Sequence, residues 1–212
     1  MKRLSFIAIG MLVVAVACSK KTSENNGGGG GTTPTPVVTL STQTFTVPLV
    51  AAAEVPAIAG AESGTSGSAT IKFNLTKTDG VLTAATADFS VNVAGFPAGS
   101  TVTISHIHLG AAGANGGIIV NTGLVSGETP LTGGAGAFTK TGIAMTPDVA
   151  NSIINNPSGF YFNVHSSTNP GGVVRGQMNG VTGVGSTAGG GTGDTGTPAG
   201  PSGPTYDDPY AQ

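Results

Sequence analysis

The sequence predicts an all-β fold: a single antiparallel β-sandwich domain with Greek-key-like connections and one short helix. Three observations carry this. Apolar residues recur every second position over long stretches, as in Ala69, Ile71, Phe73, Leu75 and again in Ala85, Ala87, Phe89, Val91, Val93. The composition favours Gly, Thr, Val, Ser and Asn, residues suited to strands and the turns between them, over the Leu, Glu, Lys and Arg of helices. Charged residues make up only 8% of the chain, so its surface holds few ion pairs and its loops are built by glycine.

The chain opens with Lys2 and Arg3, an apolar run from Leu4 to Ala17, and small residues before Cys18. The run is short for a permanent membrane span and reads as a signal peptide over residues 1–17. Ala15-Val16-Ala17-Cys18 resembles the lipobox of bacterial lipoproteins, with Ala where Leu is commoner. In such proteins the cysteine thiol is diacylated and becomes the new N-terminus, giving stable membrane attachment. Cys18 is the only cysteine, so an internal disulfide is impossible and lipidation is its expected use. Residues 18–36, with five consecutive glycines and Thr-Thr-Pro-Thr-Pro, are expected to be a flexible tether. Residues 181–212, rich in Gly, Thr, Ser and Pro, are expected to be a disordered tail.

Between these ends, residues 37–180 form the expected domain. Strands are placed over Phe45 to Val50, Ala69 to Thr76, Ala85 to Val93, Thr101 to Leu109, Ile118 to Thr122, Ala137 to Thr141, Phe160 to His165 and Val173 to Met178. Thr78-Asp79-Gly80 turns the second strand into the third as a hairpin. Thr146 as N-cap, Pro147 at the first helical position and Asp148 in the first turn start a short helix, with Val149 and Ile153 on one face. Asn169-Pro170-Gly171-Gly172 suits the reversal of a closing hairpin.

All three histidines lie in two segments. His106 and His108 alternate on one strand, and positions two apart share a face, here with Val102 and Ile104. His165 ends another strand, on a face with Tyr161 and Asn163. Where those strands are neighbours with these faces aligned, three imidazoles converge as zinc or copper ligands, with a fourth position for water or a carboxylate. The other reading makes them framework: their rings bond backbone carbonyls or Glu54 and pin the Gly-rich loops 110–117 and 166–172. Arg175, the only arginine after residue 3, is expected to form a buried ion pair with Glu54 or another acid; an anion contact is the alternative.

Glu54-Val55-Pro56, Ser105-His106-Ile107-His108 before a Gly-rich turn, Phe160 to His165, and Asn169-Pro170-Gly171-Gly172 with Val174-Arg175-Gly176-Gln177 together resemble the CHRD domain. That family is named from chordin, an extracellular antagonist of growth factors, and occurs in many bacterial exported proteins. The resemblance covers Phe45 to Asn179 and implies a β-rich extracytoplasmic module with Glu54, Pro56, Asn169, Pro170, Gly171, Arg175 and Gly176 as motif residues. The His-x-His strand is also similar to that of copper/zinc superoxide dismutases, but a fourth metal histidine, a bridging histidine and a disulfide are missing.

Function classes narrow accordingly. Without Lys2 and Arg3, six basic residues face ten acids, a net charge of −4, so no basic patch holds a nucleic acid. Ser105 and His106 point to opposite faces and cannot act as nucleophile and base, and no nucleophile elbow, phosphate loop or His-Glu-x-x-His is present. The sequence therefore predicts a non-enzymatic binding or structural module, lipid-anchored in a bacterial envelope, with no obligatory cofactor and a protein or envelope polymer as ligand. A zinc or copper protein, redox-active with copper, is the alternative.

Overall fold

A computed structural model of the chain describes residues 34–188. Cys18, the expected signal and tether up to residue 33, and the tail beyond residue 188 lie outside the described residues. Among those described, no helix is long and apolar enough to cross a membrane.

The strands are β1 (Val38–Val50), β2 (Ser66–Thr78), β3 (Val81–Ala94), β4 (Val102–Leu109), β5 (Ile118–Asn121), β6 (Gly136–Met145), β7 (Phe160–Ser166), β8 (Val174–Gln177) and β9 (Val181–Ala188). The helix α1 (Pro147–Asn155) lies between β6 and β7. The expected all-β class is the observed one. Neighbouring strands are hydrogen-bonded in the order β5-β4-β7-β8-β1-β2-β3-β6, and β9 adds to β1. Every pairing is antiparallel. This long sheet folds over and nearly closes, so that its two halves face each other as in a sandwich. Phe89 of β3 and Phe162 of β7, four places apart in the order, stack across the interior with centroids 5.8 Å apart.

The elements follow from local chemistry. Along β2 and β3 the predicted alternation holds, with Ile71, Phe73, Phe89 and Val91 buried in the core. The hairpin between them turns through Asp79 and Gly80, both at positive φ (50° and 82°), the signature of a two-residue type I′ turn. Thr146 caps α1, its hydroxyl accepting from the Val149 N–H at 3.2 Å, while Ile153 and Ala150 enter the core.

Three features depart from expectation. β1 begins at Val38 rather than Phe45, because β2 pairs with it along its whole length. Residues 181–188, expected in the disordered tail, form β9. β8 meets β1 only at Val50↔Arg175, which leaves the edge of β1 from Thr39 to Phe45 open for β9. A Gly- and Thr-rich segment offers few side chains to a core, yet its backbone completes a ladder. Finally, the pairing of β4 with β7 shifts register between Val102 and Ser105. An inserted residue reverses the parity of a strand, so Val102 joins the core with Ile107 while Ile104 is exposed. Val102 therefore does not share the histidine face in the way simple alternation requires.

Gly176 shows how tightly the halves meet. A Cβ at this position would collide with the main-chain oxygen of Pro48 and lie 2.8 Å from Val47 Cγ1, whereas one at Gly171 would meet nothing within 4 Å. Gly176→Ala should destabilise the domain by about 1–3 kcal/mol through overpacking, and Gly171→Ala should stay within about 0.5 kcal/mol of the parent. Urea unfolding of both variants measures the contrast, and equal midpoints would contradict it.

Candidate metal centre

The histidines lie on the outer face of β4 and β7, away from the Phe-rich core, yet they are buried. On β4, Ile107 points into the core between His106 and His108; on β7, Phe162 and Val164 do so between Tyr161, Asn163 and His165. Antiparallel register sets His106 opposite Asn163 and His108 opposite Tyr161, and β8 sets Arg175 opposite Asn163 on the other side. Three adjacent strands thus present one polar row. What covers it is loop: the segment after β1, the Gly-rich 110–117, and the turn 167–173.

The three imidazoles converge. Their ring centroids are 5.5, 5.0 and 6.2 Å apart, and one nitrogen from each lies within 4.8 Å of the others. Hydrogen bonds to the backbone decide which nitrogen that is for two of the three rings. His108 Nδ1 lies 3.0 Å from the Gly116 carbonyl and His165 Nδ1 lies 2.8 Å from that of Pro170. A carbonyl only accepts, so both Nδ1 atoms carry the proton and both Nε2 atoms keep a lone pair. His106 Nδ1 lies 3.2 Å from His165 Nε2, and since that nitrogen keeps its lone pair, His106 Nδ1–H donates to it in the metal-free protein. His108 Nε2 is buried and has no partner at all.

Buried nitrogens arranged in this way could serve as donors to a transition ion. Metal-bound histidines commonly give their second nitrogen to a backbone carbonyl. Tetrahedral ligands at about 2.0–2.1 Å from zinc stand roughly 3.3 Å apart, a spacing the His106–His165 pair already has. The widest gap in the set has to close by about 1.5 Å on ligation. The centre disfavours protons: burial first, then the charges of His165 and His108, pushes His106 down to about 4. His165 is lowered as well, chiefly by burial.

Arg175 departs from expectation. It is 1% exposed, but among the described residues the ion pairs are Lys72–Asp88 and Lys140–Glu128. Its guanidinium instead donates to Asn115 Oδ1 at 3.1 Å, Ala114 O at 3.0 Å and Ala111 O at 3.3 Å, and stands 3.7 Å from the centroid of the Tyr161 ring. The Gly-rich loop turns its carbonyls inward and supplies the acceptors that an acid was expected to provide. Tyr161 stacks on His108, 4.8 Å away and nearly parallel, so one aromatic ring links the cation to the imidazole cluster.

Glu54 is also buried, with Oε1 unpartnered. Burial raises it from 4.5 to about 7, against the opposing charge of Arg175 and the hydrogen bond from Asn163. Pro56, Asn169, Pro170 and Gly171 line, with Glu54, a surface cleft of about 490 Å³ beside the cluster. Sequence reasoning missed Glu62. It is 1% exposed and accepts from Ser166 Oγ and Asn169 Nδ2, both at 2.6 Å, and from Ser100 Oγ at 2.9 Å. It thereby holds the turn whose Pro170 carbonyl orients His165. Glu54 and Glu62 are the only acids between residues 50 and 66, the one signal that pointed to it.

Fold and site together define an antiparallel β module that carries a loop-capped cluster of three imidazoles on one outer face. The sequence model of the CHRD domain family matches residues 45–178, and the chain belongs to that family. No curated protein and no solved structure matches the chain.

The raised Glu54 value has a stability consequence. A carboxyl protonated more readily folded than unfolded adds stability that is complete below pH 4.5 and is lost as the pH rises through about 7. The lowered histidines act in the same range with the opposite sign. The difference in Tm between metal-free wild type and Glu54→Gln therefore isolates the acid: the variant should gain on the wild type from pH 5 to pH 8. A difference constant across that range would contradict the assignment.

Proposed function

We propose that this CHRD domain is an extracytoplasmic metal-binding module that takes zinc or copper on His106 Nδ1, His108 Nε2 and His165 Nε2. The observation that carries the reading is the buried, unpartnered Nε2 of His108, converging with two further imidazole nitrogens. An unsatisfied buried acceptor costs about 1–3 kcal/mol, and a metal ion removes that penalty. Imidazole suits both zinc and copper, and for divalent ions copper binds more tightly at a given nitrogen site. The ion would supply Lewis acidity, or with copper a one-electron couple. The chain's own part is to hold the donors dry, fix their tautomers and orient them through Gly116 and Pro170. In this reading framework and ligation coexist at His108 and His165, where each ring uses one nitrogen for a backbone carbonyl and the other for the ion.

The address follows from the N-terminal segment. The lipobox-like Ala15 to Cys18 supports a bacterial lipoprotein, anchored through acylated Cys18 and displayed in the envelope on the 18–36 tether. The cleft beside the cluster provides room for a protein or polymer ligand.

Protein purified without chelator should carry close to one equivalent of zinc or copper by elemental analysis. A His106→Ala/His108→Ala double variant should lose it while keeping its far-UV spectrum and cooperative unfolding. A folded wild type that takes up neither ion would refute the metal site. For the anchor, Cys18→Ser should abolish incorporation of labelled palmitate and leave precursor uncleaved; unchanged labelling or processing would refute the lipoprotein assignment.

A further inference from the structure

Resting on the metal reading above, we propose that Asn163 supplies a fourth protein donor, its side-chain oxygen Oδ1, to the ion held by the three histidines. Asn163 shares its strand face with His165 and stands opposite His106 in register. It is 1% exposed. Its Oδ1 lies 3.1 Å from His165 Nε2.

That contact joins two acceptors. His165 carries its proton on Nδ1, where the Pro170 carbonyl takes it, so Nε2 presents a lone pair. The amide of Asn163 is turned the same way by its other end, because its Nδ2 faces the Glu54 carboxyl beside Gly172. Gly172 leaves room for that end: a Cβ there would come within 2.7 Å of Asn163 Nδ2 and 2.6 Å of Glu54 Oε1. Two lone pairs facing each other in a buried site repel, and the His106 Nδ1–H that reaches His165 Nε2 leaves Asn163 Oδ1 unmatched there unless a positive centre lies between them. A second proton on His165 would provide one only by burying a further cation among two imidazoles and near Arg175. A metal ion provides it without that penalty, releasing the His106 Nδ1 proton as it binds, and it uses the lone pair of His108 as well. Three imidazole nitrogens and one amide oxygen complete a four-coordinate shell without water.

The test uses the full-length chain and zinc alone. Zinc affinity is measured by competition with a chelating dye for wild type and Asn163→Leu, a substitution of similar volume that offers no donor. The variant should bind zinc about 10- to 100-fold more weakly, with the metal-free Tm as the check on folding. Equal affinity would overturn the assignment. Should the variant fail to fold, a crystal structure of the zinc-loaded wild type decides: Oδ1 within about 2.2 Å of the ion supports the assignment, and Oδ1 outside coordination distance overturns it. A wild type that binds no zinc or copper defeats the metal reading itself and takes this inference with it. A wild type that binds metal with an indifferent Asn163 defeats only this one.

Discussion

Everything at this site depends on two backbone carbonyls. Those of Gly116 and Pro170 take the Nδ1 protons of His108 and His165, and in doing so determine which nitrogens keep their lone pairs and where those lone pairs point. A histidine in solution exchanges tautomers freely; here a carbonyl at 2.8–3.0 Å makes the choice in advance. The capping loops thus shape the imidazole cluster as much as the strands that carry the rings. Their positions are held by side chains from below. Arg175 grips the carbonyls of Ala111 and Ala114, Tyr161 accepts from the Gly116 N–H at 3.4 Å, and Glu62 grips Asn169.

Glycine makes this arrangement possible at one position in particular. A Cβ on Gly116 would overlap the main-chain oxygen of Leu109, so the loop returns to the end of β4 only because residue 116 has none. That close return places the Gly116 carbonyl over His108, and it also seats Leu109 N–H on the Gly117 carbonyl at 3.0 Å. A Gly-rich loop is usually read as slack. This one is short of room and rich in inward-facing acceptors, the opposite of a mobile flap. The buried guanidinium follows from the same fact: a cation surrounded by carbonyls and an aromatic face is satisfied without any carboxylate.

Much of this was legible from residues alone. Period-two patterning located β2, β3 and β7, the Asp79-Gly80 pair located their hairpin, and two short segments held every histidine. What escaped the sequence had physical causes. The bulge between Val102 and Ser105 reverses strand parity, and no composition reveals an inserted residue. β9 is stabilised by main-chain pairing with an open edge, which Gly and Thr allow but do not advertise. Arg175 finds carbonyls rather than Glu54, and carbonyls have no residue identity to read. Glu62 acts through tertiary contacts over 100 residues away in sequence, with Ser166 and Asn169.

The alternation of a strand also explains how a polar centre can exist here without weakening the fold. Core and centre share β4 and β7 but occupy opposite faces. Ile107, Phe162 and Val164 bury their side chains inward, and each large apolar group excluded from water contributes on the order of 1.5–3 kcal/mol. His106, His108, Asn163 and His165 point outward into a layer covered only by loops. The inward residues fix the register to the single value that sets His106 beside Asn163 and His108 beside Tyr161, since a slip by one residue would turn every apolar side chain out of the core. The precision of the imidazole cluster is therefore supplied by hydrophobic packing on the far side of the sheet. The polar residues can change while that packing is kept, so the imidazole cluster and the fold are separable here to an extent that a cluster buried between the two halves would not allow.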